Sequence, residues 1–213
     1  MQWLKNLAGV MVRPRTTMRR ILDAPPDRMI LPLVLLAALS GFIGDLNIAE
    51  MSKIYSGLSQ RLQIIVPLSL AGAIVAACIL FYVFGWIAYA LGRAIEGTGT
   101  IAAVRSALAW GLAPIIWALL YRIPKMWLKP AVEVAQADLG NFKLAIDTGR
   151  LASGCGTVML FGILDLLVVA GWFVITSLTL AEAHNFSTAR GFAIVAAVLV
   201  APIVIALAAF LAF

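Results

Sequence analysis

Few residues of this sequence are of a kind that does chemistry, and the sharpest is Asp165, set between the charge-free runs 151–164 and 166–181. An aspartate inside such a run costs about 2.5–3.5 kcal/mol to insert into a bilayer, so it must face other helices or a wet cavity. Without a cation beside it, burial favours its protonated form. Asp45, near Asn47 at the end of an earlier run, is a shallower carboxylate, and Arg105 opens a third run. Asp165, Asp45 and Arg105 could together line a cation or proton path. The alternative is one hydrogen-bonded aspartate that locks helices together, plus one interfacial carboxylate.

Other reactive side chains are sparse. The one histidine, His184, lies in a short loop with Glu182 and Asn185 and has no second His or Cys at metal-ligand spacing. It reads as a solvated or interfacial group. Gly97-Thr98-Gly99-Thr100 has the composition of a phosphate loop, but no strand precedes it and no lysine follows it. Nucleophile elbows and dinucleotide fingerprints are missing, so an enzyme is the least expected class and no cofactor or metal is implied. Cys78 and Cys155 lie in or at the edge of apolar runs and read as small packing residues.

Composition fixes the elements that must hold these residues. Of 213 residues 63% are hydrophobic and 12% charged, against about half and a quarter in soluble domains, which excludes an ordinary soluble globule. The net charge of +6 gathers at the amino end and points to anionic lipid headgroups, not to nucleic acid. Apolar runs approaching or exceeding the roughly 20 residues of a span predict helices near 29–49, 64–92, 101–121, 155–180 and 191–213. Barrel strands are excluded because apolar and polar residues do not alternate. The expected fold is all-α: a polytopic integral membrane protein with a bundle of five transmembrane helices over 29–213, preceded by a retained basic segment, 1–28.

Within 1–28, Trp3, Leu4, Leu7 and Met11 share one side of a helix. After Pro14 a second helix is predicted, with Thr16 as N-cap and Met18, Ile21 and Leu22 opposite Arg19 and Arg20. Such helices lie in the headgroup plane, each cation adding about 1 kcal/mol near an anionic leaflet. Arg13, Arg15, Arg19 and Arg20 are the candidate headgroup contacts, although the same cluster serves equally as a plain topogenic signal. The positive-inside rule places the amino end in the cytoplasm and, after five crossings, the carboxyl terminus outside. The segment 122–153, with Arg122 and Lys125 at its start, reads as a partly helical interfacial loop. Between the second and third spans, Arg93 to Thr100 must reverse the chain, with Gly97 and Gly99 expected at positive φ and Thr100 capping the third span.

That hairpin also carries a resemblance. Gly85-Trp86-Ile87-Ala88-Tyr89-Ala90-Leu91-Gly92, then Glu96-Gly97-Thr98-Gly99-Thr100, then Ser106 through Pro114, resembles the central hairpin of the Yip family, multi-pass membrane proteins named for interaction with Ypt and Rab GTPases. Pro14, Thr17, Met18 and Ile21 followed by Leu31-Pro32-Leu33 are similar to the family's entry into its first span. Trp172, then Leu178 through Arg190, is similar to the exit from its fourth. The resemblance covers most of the chain and implies five spans, a cytosolic amino end and, in eukaryotic relatives, a role in vesicle traffic. The acidic-Tyr-Gly-Pro segment of eukaryotic members has no counterpart before the first span, and the amino end is short. Both departures argue for a bacterial-type member in a cytoplasmic (inner) membrane and against a Rab-type partner.

Two functions follow. One is a non-enzymatic membrane-organising or adaptor protein that acts through anionic lipid, self-association or a protein partner. The other is a small transporter or channel using Asp165, Asp45 and Arg105. A polar cavity reaching Asp165 favours the second; a dry, apolar interior favours the first.

Overall fold

The computed structural model describes residues 2–24, 29–45, 59–127 and 148–212. Arg28, Lys53, Asn47 and the stretch 128–147 of the expected interfacial loop lie outside the described residues. Among the described residues every regular element is a helix.

Two short helices come first, α1 (Gln2–Val12) and α2 (Pro14–Leu22). Pro14 sits in the first turn of α2, where its missing N–H would have had no partner, and Arg13 takes the N-cap position. Thr16 is therefore not the cap; its hydroxyl donates to the Arg13 carbonyl at 3.2 Å. Leu7 and Val10 of α1 and Thr17, Met18 and Ile21 of α2 are buried, whereas Trp3, Leu4 and Met11 are exposed. The apolar stripe of α1 is thus split: one edge packs on the bundle and the other is left facing outward.

The apolar body follows as α3 (Ile30–Asp45), α4 (Ser59–Ala94), a broken stretch of α5 (Ile101–Gly111), α6 (Ala113–Trp117) and α7 (Leu119–Trp127), then α8 (Thr148–Ala183) and α9 (Thr188–Ala212). Pro67–Ala94, Ile101–Lys125 and Met159–Ala183 are long and apolar enough to cross a bilayer, while Ile30–Gly44 and Thr188–Val200 are apolar but shorter. The third span breaks at Leu112, two residues before Pro114, whose ring nitrogen cannot donate and which falls in the first turn of α6. Ser40 of α3 donates its hydroxyl to the Ile115 carbonyl, next to the second break of this stretch at Ala118. The loop expected over 122–153 is shorter at both ends, since α7 continues to Trp127 and α8 begins at Thr148.

Small residues set the closest helix approaches. Gly111 of α5 lies against Thr176 of α8, and Thr179 of α8 donates to the Ala107 carbonyl at 3.0 Å. Gly191 of α9 lies against the Ser177 carbonyl, where a Cβ would come within 2.3 Å. Lipid tails are as apolar as the helices, so close packing and such interhelical hydrogen bonds hold the bundle together.

Candidate functional site

The ends of α4 and α8 form the first polar centre. Each helix closes in the same way, with paired 6→1 and 5→2 backbone bonds around one residue at positive φ. At α4, Gly97 N–H donates to the Gly92 carbonyl at 2.8 Å and Glu96 N–H to Arg93 at 3.2 Å. At α8, Phe186 N–H donates to Ala181 at 2.7 Å and Asn185 N–H to Glu182 at 3.2 Å. The left-handed positions are Glu96 (φ 68) and Asn185 (φ 57). The expectation for Gly97 and Gly99 is thereby corrected, because neither has positive φ. Thr100 does cap α5, accepting from Ala103 N–H at 3.2 Å.

The glycines are needed for another reason. His184 is not solvated: it is 1% exposed, stacked on Phe186, and enclosed by the hairpin glycines. A Cβ on Gly92 would come within 2.3 Å of the imidazole, one on Gly97 within 2.5 Å and one on Gly99 within 2.9 Å. Its carbonyl accepts from Thr98 N–H at 3.4 Å, joining the two turns. Neither ring nitrogen has a hydrogen-bond partner among the described residues. Burial, with a further contribution from Arg93, pushes the imidazole below its ordinary pKa and favours the neutral ring.

Beside it, Glu182 is 5% exposed and clamped by α2. Arg15 Nε donates to one carboxylate oxygen at 3.0 Å and Arg19 Nε to the other at 2.7 Å, while Arg15 also reaches the Phe186 carbonyl at 3.2 Å. Two of the four predicted headgroup cations therefore have a protein partner. Arg13 and Arg20 stay exposed, as does most of Arg19. Sequence reasoning missed Glu182; the available signal was an acid at a helix end in a chain with excess arginine.

The second centre surrounds Asp165. Arg122 donates to it at 2.9 Å, Lys125 at 3.4 Å, and the Tyr121 hydroxyl also donates. Arg122 bonds the Ser40 carbonyl as well, at 3.0 Å, so α3, α7 and α8 meet here. A guanidinium and an ammonium lie on Asp165, so the condition for a protonated carboxyl, burial without a cation, is not met. Tyr121, Arg122 and Lys125 share one face of α7, which is the spacing that could have identified them. Asp165 precedes the Ala183 end of α8 by eighteen residues, about 27 Å at ~1.5 Å per residue, so this centre and the Glu182 and His184 centre lie far apart along the bundle.

The predicted trio is not assembled. Arg105 lies in the second turn of α5 with its guanidinium 4.9 Å from the Tyr82 ring centre, at the opposite end from Asp165. Asp45 closes α3 next to Gly44, whose Cβ would meet Arg122 Nε at 3.0 Å, but the Asp45 side chain lies outside the described residues. Pro114, the remaining motif residue, is buried at the start of α6. A cavity of about 340 Å³ lies between α3, α4, α5, α8 and α9, and none of Asp165, Arg105 or any other ionisable side chain is in its lining.

Apolar helices too long for a soluble core, helix interfaces made by small residues, and, among the described residues, charged groups gathered toward the two ends define an integral helical membrane protein. Within that class the sequence match is specific. The Yip1 domain family model matches residues 8–210, and the chain belongs to the Yip family. No curated protein and no solved structure matches the chain.

Proposed function

We propose that this Yip-family chain is a non-enzymatic membrane-organising or adaptor protein that holds a basic amphipathic rim against the anionic leaflet of a bacterial-type cytoplasmic membrane, with its amino end in the cytoplasm. The observation that carries this reading is the Glu182 clamp. By binding Arg15 and Arg19 it fixes α2 to the ends of α8 and α9, leaving Arg13 and Arg20 outward beside the exposed apolar edge of Trp3, Leu4 and Met11. A rim of that composition inserts at the headgroup boundary and prefers negative charge. Yip relatives in eukaryotes work in membrane traffic, and a platform that gathers lipid or a partner at one surface suits that background. The apolar lining of the cavity and the paired state of Asp165 weigh against an ion path.

The test is lipid selectivity of the intact protein, read by native mass spectrometry from micelles containing equal phosphatidylglycerol and phosphatidylcholine. Arg13→Gln with Arg20→Gln should weaken the anionic preference about tenfold or more, given about 1 kcal/mol per cation near the surface. Unchanged selectivity would remove the reading.

A further inference from the structure

The cavity offers more than an argument against transport. Its wall is drawn from all five apolar segments, including Val34 and Gly41 of α3, Phe81 and Ala88 of α4, Trp172 of α8 and Val198 of α9. In water such a void would stay dry or collapse; in a bilayer the surrounding solvent is itself made of hydrocarbon chains.

Three features of the space say what fills it. First, it is elongated along the helices: its α4 wall runs from Ala77 to Ala88, eleven residues or about 16 Å, roughly half of the ~30 Å hydrocarbon thickness. Second, it follows the long axis of the bundle, reaching from Ala88, Leu180 and Val195, within two turns of the helix ends that carry the Glu182 and His184 centre, to Gly41 and Ile115, beside the Ser40 that Arg122 bonds at the Asp165 centre. Third, it opens sideways. Leu80 and Leu199 line it and yet are 51% and 37% exposed, so the wall is continuous with the outer apolar surface of α4 formed by Val75, Ile79 and Val83. The volume, about 340 Å³, is at the lower end of ligand-sized sites.

We propose that this cavity is a lateral slot for one acyl chain of a membrane phospholipid. Tail recognition here is by shape and mainly hydrocarbon contact, since the lining has no ionisable side chain and its polar side chains are Thr176 and the Trp172 indole. The slot goes beyond the adaptor reading, because it concerns the tail and not the headgroup. It gives the bundle a component from the bilayer, and the helix packing around it depends on that component being present.

Gly41 provides the means of testing it. A Cβ at this wall position meets nothing within 4 Å, so a larger side chain enters the space without striking backbone. The full chain in nanodiscs would be irradiated with a phospholipid carrying a mid-chain diazirine, and the crosslinked peptides mapped. Crosslinks to the wall residues Gly41, Phe81 and Trp172 are expected in the wild type and their loss in Gly41→Phe, with the outer-face crosslinks on α4 retained. Ala38→Leu, also in the lining, is the second variant should Gly41→Phe fold poorly. Crosslinks confined to the outer faces would overturn the proposal. So would a Gly41→Phe chain that melts higher with its crosslinks unchanged, which is how filling an empty void behaves. A diazirine fatty acid that labels the wall when the phospholipid does not would assign the slot to free fatty acid and overturn the phospholipid.

Discussion

His184 shows how much a single side chain here depends on its neighbours. Gly92 lies in an otherwise ordinary apolar helix, yet a methyl group there would overlap the imidazole at 2.3 Å. Gly92→Ala is expected to destabilise the fold by about 1–3 kcal/mol through overpacking, while Gly72→Ala, with open space around its Cβ position, should be neutral or slightly stabilising. Thermal unfolding in detergent distinguishes the two. The buried ring also sets a pH dependence. Its pKa is held below the ordinary 6.5, so the unfolded chain takes up this proton at a higher pH than the folded one does. The contribution of His184 to stability is full above 6.5 and is lost as pH falls below it toward the depressed folded value. The melting temperature should fall between pH 7 and pH 5, and His184→Phe should flatten that part of the profile. An equally steep profile in the variant would assign the effect to other groups.

At the scale of elements, the two matched helix endings carry different strains. Glu96 adopts φ 68 without the freedom of glycine, and Arg93 helps by donating to the Gly97 carbonyl at 3.1 Å. Glu96→Gly should therefore stabilise the protein by about 0.5–1 kcal/mol, measured as a rise in melting temperature. The far end of the bundle relies on charge. Removing the negative charge of Asp165 leaves Arg122, whose side chain is 13% exposed, without its counter-ion at the junction of α3, α7 and α8. Asp165→Asn should cost about 1–2 kcal/mol, less than a fully buried pair because Asp165 and Lys125 are each about one-third exposed. Flux through liposomes should be the same for wild type and variant, because the cavity does not include this residue. Proton or cation flux that disappears in the variant would revive the path.

For the whole molecule, the arrangement separates two faces. The α4–α5 turn, the α8–α9 turn and the docked α1–α2 pair are joined by the Thr98–His184 and Arg15–Glu182 bonds, and so share one side. With Cys78 and Cys155 replaced, single cysteines at Thr98 and Asn185 should both be labelled by an impermeant maleimide from the cytoplasmic side only. Cysteines placed in 46–58 and 128–147 should be labelled from the opposite side. Labelling of any of the four from the other face would break the five-crossing arrangement.

The sequence alone determined the solvent and the element type, because runs of apolar residues this long have no other stable environment than hydrocarbon and, without the alternation of barrel strands, satisfy their backbone there as helices. It also determined the family, since the Gly-Thr-Gly hairpin and the flanking spans are local patterns that keep their order along the chain. The pairing of distant charges was not legible. Glu182 meets Arg15 across 167 residues and Asp165 meets Arg122 across 43; nothing local distinguishes Arg15 from Arg13, and the spacing of Tyr121, Arg122 and Lys125 marks a face without naming its partner. Nor could sequence show that Gly97 and Gly99, with Gly92, make room for a buried histidine, the first two having been expected to serve a backbone angle. Glycine in sequence records only a missing side chain; which atom occupies the space is decided by the neighbour that folding brings there.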